Sequence, residues 1–377
     1  MAASTAPKAW RRLVVKVGTS VLTGGAQALN RPRMLELVRQ IADLCARQLD
    51  VVLVTSGAVL AGRERLGHPR LGRDIPFKQM LAAVGQGRLM HVYEQFFEIY
   101  DLAVGQVLLT REDLRDRARY LNARNTLLAL LAGGIVPIIN ENDAVATDEI
   151  RVGDNDNLSA LVANLVEADL LVLLTDTPGL FTADPRLCPD AQLIDEVPCI
   201  DDKTYALAGG SRSGLGTGGM LTKVQAAELA TRCGTDVVVA AGDAPDVLPR
   251  LAAGERLGTF FAASSDRLEG RKRWIWAETA AEGCLTVDKG AAAALLREGK
   301  SLLPVGVTGV EGDFERGATV RIVDPQGHTI ARGVSNYGTV ELAAIQGHHS
   351  NEIEELLGYA YGAEVVHRDN LVLLRSR

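Results

Sequence analysis

The stretch "RLVVKVGTS", residues 12–20, holds one lysine inside an apolar run and then turns abruptly polar. Five of the first six positions that follow Arg12 are Leu, Val or Gly, with no alternation of apolar and polar side chains. Continuous rather than alternating hydrophobicity marks a strand buried on both faces, as in a parallel sheet. Four more runs share this texture: "DVVLVTSG" (50–57), "IVPIINEND" (135–143), "DLLVLLTD" (169–176) and "DVVVAAG" (236–242). Between them lie amphipathic patterns such as "RPRMLELVRQIADLCARQ" (31–48), where Met34, Leu35, Leu37, Val38, Ile41 and Leu44 form a broad apolar face. Strand–helix alternation over about 260 residues predicts an α/β fold, a three-layer αβα sandwich.

Each apolar run ends in polar or glycine-rich residues: Gly18-Thr19-Ser20, Thr55-Ser56-Gly57, Asn140-Glu141-Asn142-Asp143 and Thr175-Asp176. Open α/β sheets bind ligands beyond the carboxyl ends of their strands. Four polar clusters, far apart in sequence, are therefore expected to converge on one edge.

The texture changes near residue 264. The segment 264–280 is charged and reads as a linker between a first domain at 1–263 and a second at 281–377. The second is expected to be small and β-rich, with a hairpin turn at Asp324-Pro325-Gln326-Gly327 and a helix over 290–300.

The chain has 377 residues, 47% hydrophobic and 23% charged, with a formal net charge of −7. These are values of a globular protein with a sizeable core, and the acidic balance argues against a general nucleic-acid binder. Five scattered cysteines, none in a C-x-x-C pair, fit a reducing compartment better than a disulfide framework. The most apolar stretch, "LVANLVEADLLVLL", is interrupted by Asn164, Glu167 and Asp169, too often to span a membrane. A cytoplasmic protein is expected.

Lys16 is costly inside a buried run unless a partner or an anionic ligand meets it. A second cation, Lys223, follows the glycine-rich segment "SGLGTGGMLTK" (213–223), which opens an amphipathic helix. Unhindered N–H groups at a helix start cradle phosphates. The pattern is no Walker A loop, because Thr222 precedes Lys223 and Val224 follows it. Gly214, Gly216 and Gly219 satisfy G-x-G-x-x-G, yet no buried strand precedes them, which weakens a dinucleotide reading. Two lysines need counter-charges, and "RVGDNDNLSA" (151–160) holds the acids to supply them. The same stretch reads alternatively as a solvated turn or a metal loop, although it lacks the glycine and glutamate of a calcium-binding EF-hand loop. Asn157 and Ser159 are expected to cap a helix starting at "LSALVANL". Lysines, a glycine cradle and an orienting acid are sufficient for phosphoryl transfer, which asks mainly for positioning and charge neutralisation.

The motifs "VVKVGTSVLTGG", "VTSGAVLAGRERLG", "QMLAAVGQ", "LLTREDL", "LNARNTL", "PIINENDAVATDEIRVGDNDNLSALVA", "LLTDTPGLFTADPR" and "SGLGTGGMLTK", in this order, resemble the glutamate 5-kinases of the amino acid kinase family. "GDFERGATVRIVD" is similar to a PUA domain. The resemblance spans residues 12–262 and continues into the C-terminal domain. It implies ATP-dependent phosphorylation of the L-glutamate γ-carboxylate, giving γ-glutamyl 5-phosphate, the first step of proline biosynthesis. It also implies Mg²⁺ on the nucleotide phosphates, feedback inhibition by proline, a homo-oligomer (tetramer or dimer) and hand-off of the product to glutamyl phosphate reductase. By resemblance, Lys16 and Lys223 contact the ATP phosphates and Asp156 holds both lysines. Ser56, Gly57, Ala58, Asn140, Asp143, Asp154 and Asn155 line the glutamate pocket. Gly18, Thr19, Ser20, Thr175, Asp176 and the segment Thr217, Gly218, Gly219, Met220, Leu221, Thr222 and Lys223 serve the nucleotide. No protein-held metal is implied. Arg151 departs from the lysine of the family pattern, which changes reach and hydrogen-bond geometry.

Another carboxylate or carbamate kinase of the same fold would share the nucleotide half. A non-enzyme, an RNA-binding or regulatory protein acting through its PUA-like part, is the third reading. Residues 281–377 carry 13 Asp or Glu against 9 Lys or Arg, and RNA affinity depends on neutralising phosphates, so the charge disfavours it.

Overall fold

The computed structural model describes residues 10–69, 74–146, 154–209, 219–264 and 281–373. The chain divides into two compact units, one of residues 1–112 and 126–265, the other of 113–125 and 266–377.

The first unit is built on an eight-stranded sheet. Its strands are β1 (Arg12–Val17), β2 (Asp50–Val54), β3 (Val104–Leu109), β4 (Val136–Glu141), β5 (Leu170–Thr175), β6 (Glu196–Val197), β7 (Asp236–Ala241) and β8 (Thr259–Phe261). Their spatial order is β3-β4-β2-β1-β5-β7-β8-β6. Pairing is parallel from β3 through to β7; β8 runs antiparallel to β7, and β6 pairs parallel to β8. The five apolar runs of the sequence are the inner strands β1, β2, β4, β5 and β7. The helices of the N-terminal part are α1 (Thr19–Thr23), α2 (Arg31–Ala46), α3 (Ala58–Arg65) and α4 (Ile75–Glu98), then α5 (Arg111–Arg115) and α6 (Arg117–Ala132), whose residues 113–125 belong to the second unit. They are followed by α7 (Asp154–Leu165), α8 (Asp202–Leu207), α9 (Met220–Arg232) and α10 (Val247–Ala252).

Side chains of a strand alternate between its faces. On β1, Leu13, Val15 and Val17 join one core with Met34, Val38 and Ile41 of α2, Leu89 and Phe97 of α4, and Leu248 of α10. Burying each such side chain contributes about 1.5–3 kcal/mol. Lys16 must then point to the opposite face, where α7 packs on β1 and β5 and meets α9. The pleat of one strand thus decides that this lysine faces α7 and α9.

Helices α3 and α4 cross at a close approach. A Cβ placed on Gly62 would overlap the carbonyl of Leu81, and one on Gly85 would overlap the carbonyl of Ala58. Only glycine permits two backbones to come this near.

Two features differ from expectation. The polar stretch at 154–157 is not a turn before the helix but the first turn of α7 itself. Acidic side chains are favourable there, beside the positive end of the helix dipole. Ser159 accordingly does not cap the helix; its Oγ donates 2.6 Å back to the carbonyl of Asp156. Strand β3 was also unforeseen: "VGQVLL" is broken by Gly105 and Gln106 and lies at the sheet edge.

The second unit carries a five-stranded sheet in the order β10-β9-β11-β12-β13. The strands are β9 (Gly283–Val287), β10 (Val307–Gly312), β11 (Thr319–Val323), β12 (Thr329–Val334) and β13 (Leu371–Leu373). The expected turn joins β11 to β12, with Gly327 N donating to Asp324 O at 2.9 Å. The helix foreseen over 290–300 is Lys289–Glu298, capped by Asp288, whose side chain accepts from Ala291 N. Leu285, Val320, Ile322, Tyr337 and Ile345 are among its core residues. Of the linker expected at 264–280, residues 265–280 lie outside the described residues. Among the described residues no helix is long and apolar enough to cross a membrane.

Candidate active site

Because β1, β2, β4 and β5 are parallel, their carboxyl ends share one edge of the sheet. Lys16 is near the end of β1 and Asn140 near the end of β4, Thr175 ends β5, and Thr55 and Ser56 follow β2.

Lys16, Asp156 and Lys223 meet here, with relative exposures of 4%, 1% and 7%. Lys16 Nζ lies 2.6 Å from Asp156 Oδ1, and Lys223 Nζ lies 3.2 Å from Oδ2. Thr222 Oγ1 donates to the same Oδ2 at 2.6 Å. Burial pushes the Asp156 carboxyl up, but both lysines and the Thr222 hydrogen bond outweigh it and hold the pKa below the usual range. Burial pulls Lys16 below the ordinary lysine value, against the opposing attraction of Asp156, and Lys223 adds like-charge repulsion in the same direction as burial. Two cations share one carboxylate, so the buried cluster keeps an excess positive charge. Such a cluster favours an anion.

The glycine segment ends at Gly219, the N-cap of α9, with φ 82° and ψ −151°. L side chains rarely adopt that φ, and a Cβ there would meet nothing within 4 Å. Gly219 O accepts from Lys223 Nζ at 3.3 Å and lies 3.0 Å from Thr222 Oγ1, tying the helix start to the lysine. Met220 and Leu221 are half-buried in the first turn. Gly18 lies between Lys16 and α1, where a Cβ would stand 3.4 Å from Lys16 Nζ. Thr19 and Ser20 are exposed at the start of α1. Thr175 is buried and donates from Oγ1 to the exposed Asp176 at 3.0 Å.

A second cluster adjoins the first through Asn155. Its Nδ2, with two hydrogens to donate, lies within hydrogen-bond reach of three acceptors: Thr55 O at 3.0 Å, Ser56 Oγ at 2.9 Å and Asn140 Oδ1 at 3.0 Å. Gly57, at φ 102°, caps α3, and Ala58 opens that helix. Asp143 is half-buried in the turn after β4. Thr217, Gly218, Arg151 and the side chain of Asp154 lie outside the described residues.

Three contributors from α4 were missed in the sequence. Gln79, Gln86 and Tyr93 repeat every seven residues, so they lie along one face of the helix. Gln79 Nε2 donates to Ala146 O at 3.1 Å. Gln86 Oε1 accepts from Asn140 Nδ2 at 2.8 Å. The Tyr93 hydroxyl lies 2.8 Å from Thr55 Oγ1, fully buried, which pushes its phenol pKa up. Two of the three lie in the quoted motif "QMLAAVGQ", polar at both ends of an apolar segment. That spacing was the available signal.

The model of the amino acid kinase family matches residues 11–241, and that of the PUA domain matches 283–357. The chain belongs to the amino acid kinase family. Within it, it belongs to the glutamate 5-kinases. It is 61% identical to the glutamate 5-kinase of Herpetosiphon aurantiacus, covering 96% of this chain and 98% of that one. The glutamate 5-kinase of Deinococcus radiodurans is 58% identical, covering 96% of this chain and all of its own length. That of Shewanella oneidensis is 57% identical, over 97% and 98%. As an amino acid kinase the chain is a phosphotransferase, with a C-terminal PUA domain.

Proposed function

We propose that this kinase transfers the γ-phosphoryl group of ATP to the γ-carboxylate of L-glutamate, forming γ-glutamyl 5-phosphate at the first step of proline biosynthesis. The observation that carries the reading is the buried Lys16–Asp156–Lys223 cluster, flanked by the asparagine network of Asn140 and Asn155. The excess positive charge matches a phosphoryl group in flight, and the fixed lysines cost no reorganisation at the moment of reaction. A carboxylate is already nucleophilic near neutral pH, so no general base is needed.

In this reading Lys16 and Lys223 act on the ATP phosphates while Asp156 sets their positions. Gly18, Thr19, Ser20, Thr175, Asp176 and the segment 217–223 serve the nucleotide. Ser56, Gly57, Ala58, Asn140, Asp143, Asp154 and Asn155 serve the amino acid; carboxylates suit its ammonium group, amides and backbone N–H groups its carboxylates. Mg²⁺ would ride on the nucleotide phosphates and neutralise part of their charge. The same reading carries feedback inhibition by proline, a homo-oligomer, a cytoplasmic location and release of an acyl phosphate labile enough to favour hand-off to a reductase.

A panel of glutamate, N-acetylglutamate, aspartate and carbamate tests the substrate. ADP release that depends on glutamate is expected. Turnover of N-acetylglutamate without glutamate would overturn the assignment.

A further inference from the structure

The amides of Gln86, Asn140 and Asn155 form a hydrogen-bonded relay whose direction is set by the backbone. A peptide N–H only donates and a peptide carbonyl only accepts. Glu141 N donates to Asn140 Oδ1 at 3.0 Å, so that atom is an oxygen. Asn140 Nδ2 therefore donates to Gln86, whose Oε1 accepts at 2.8 Å. At the other end Asn155 donates to the Thr55 carbonyl at 3.0 Å, so that atom is its nitrogen. Two atoms are left over, a donor at Gln86 Nε2 and an acceptor at Asn155 Oδ1. Both are buried, and neither has a hydrogen-bond partner among the described residues.

A buried polar group left unpaired costs about 1–3 kcal/mol. Two such costs at the ends of one relay, beside the lysine cluster, are accounted for if a ligand supplies both partners. The ligand must then present an acceptor to Gln86 and a donor to Asn155, as a zwitterionic amino acid does. Asn155 is adjacent to Asp156 on α7, whereas Gln86 is two amides further from the lysines. The reacting end of the substrate belongs at the lysines, so the α-carbon end falls along the relay.

We propose that Gln86 is a substrate-binding residue that sets specificity: its Nε2 donates to the α-carboxylate of the acceptor amino acid while Asn155 Oδ1 accepts from the ammonium group. This rests on the glutamate reading. Both atoms are sealed from water, so folding has already met their desolvation cost. A substrate that reaches them meets a preorganised pair. Gln79 and Tyr93 are positioning residues on the same face of α4, holding the turn after β4 and the end of β2.

Gln86→Glu retains an acceptor for Asn140 and removes the donor. KM for glutamate should rise about 10–100-fold, the loss of one hydrogen bond to a charged group, with kcat and KM for ATP within about three-fold of wild type. The α-amide of glutamate, isoglutamine, supplies the complementary test. It presents an N–H where glutamate presents an oxygen, so the variant should favour isoglutamine over glutamate more than wild type does, by about 100-fold in kcat/KM. A merely structural role would impair both substrates equally, and that result overturns the proposal. If KM for ATP shows the variant to be misfolded, Gln86→Met decides: glutamate KM raised without recovery of isoglutamine supports the contact, and unchanged glutamate KM refutes it. Failure of the wild type to use glutamate would instead sink the underlying function.

Discussion

Lys16 on the first strand and Lys223 on α9 are bound to opposite oxygens of one carboxylate, Asp156, at 2.6 and 3.2 Å. A single acid on the first turn of α7 thus fixes two cations from opposite ends of the domain, and all three are buried.

Asp156→Asn removes that shared counter-charge. Leaving a buried charge unpaired typically costs 3–5 kcal/mol, and preorganised electrostatics typically carries about 10²–10³ in kcat. The expected outcome is a kcat fall of about that size together with a clear drop in Tm. A kcat near wild type, measured at saturating ATP and glutamate, would remove Asp156 from its assigned role.

The shifted pKa values give pH dependence on both sides. Lys16 titrates below its unfolded value of about 10.4, so between the two values the unfolded chain binds more protons. Its contribution to stability therefore rises with pH across that window. Its charge, and with it the ATP contact proposed for it, is lost over the same window. The profile of kcat/KM for ATP, which reports the free enzyme, should bend down on the alkaline side with a midpoint below about 10.4. A flat profile to that pH would contradict it. Asp156 behaves in the opposite sense. The stability it contributes is present above the unfolded carboxylate value of about 3.9 and is lost as pH falls through the depressed folded value.

Gly85→Ala tests how the α3–α4 crossing supports the site. The added methyl meets the Ala58 carbonyl, with Gln86 as the next residue. Overpacking of this kind costs about 1–3 kcal/mol. A lowered Tm with a raised KM for glutamate and an unchanged KM for ATP is expected, because in the proposed reading α4 supports the amino-acid side of the site through Asn140. Equal changes in both KM values would show that the crossing supports the domain as a whole.

The inner strands were legible because burial on both faces leaves an unbroken apolar run, as in Leu170–Thr175. Lys16 and Lys223 stood out because charge inside buried or helix-opening segments demands a partner. The start of α7 was not legible, since Asp and Asn signal turns as readily as first helical turns, and only the packing of α7 on β1 and β5 decides between them. Gln86 and Tyr93 were hidden for another reason. A glutamine between two glycines and a tyrosine on an apolar face read as ordinary helix, and their hydrogen bonds reach across to Asn140 and Thr55, far off in sequence.

The most direct measurement of the central claim is trapping of the acyl phosphate. The purified protein is incubated with ATP, Mg²⁺, L-glutamate and hydroxylamine, and γ-glutamyl hydroxamate is quantified against ADP. The account predicts hydroxamate in step with ADP, both abolished when glutamate is omitted. ADP release without hydroxamate, or at the same rate without glutamate, would contradict it.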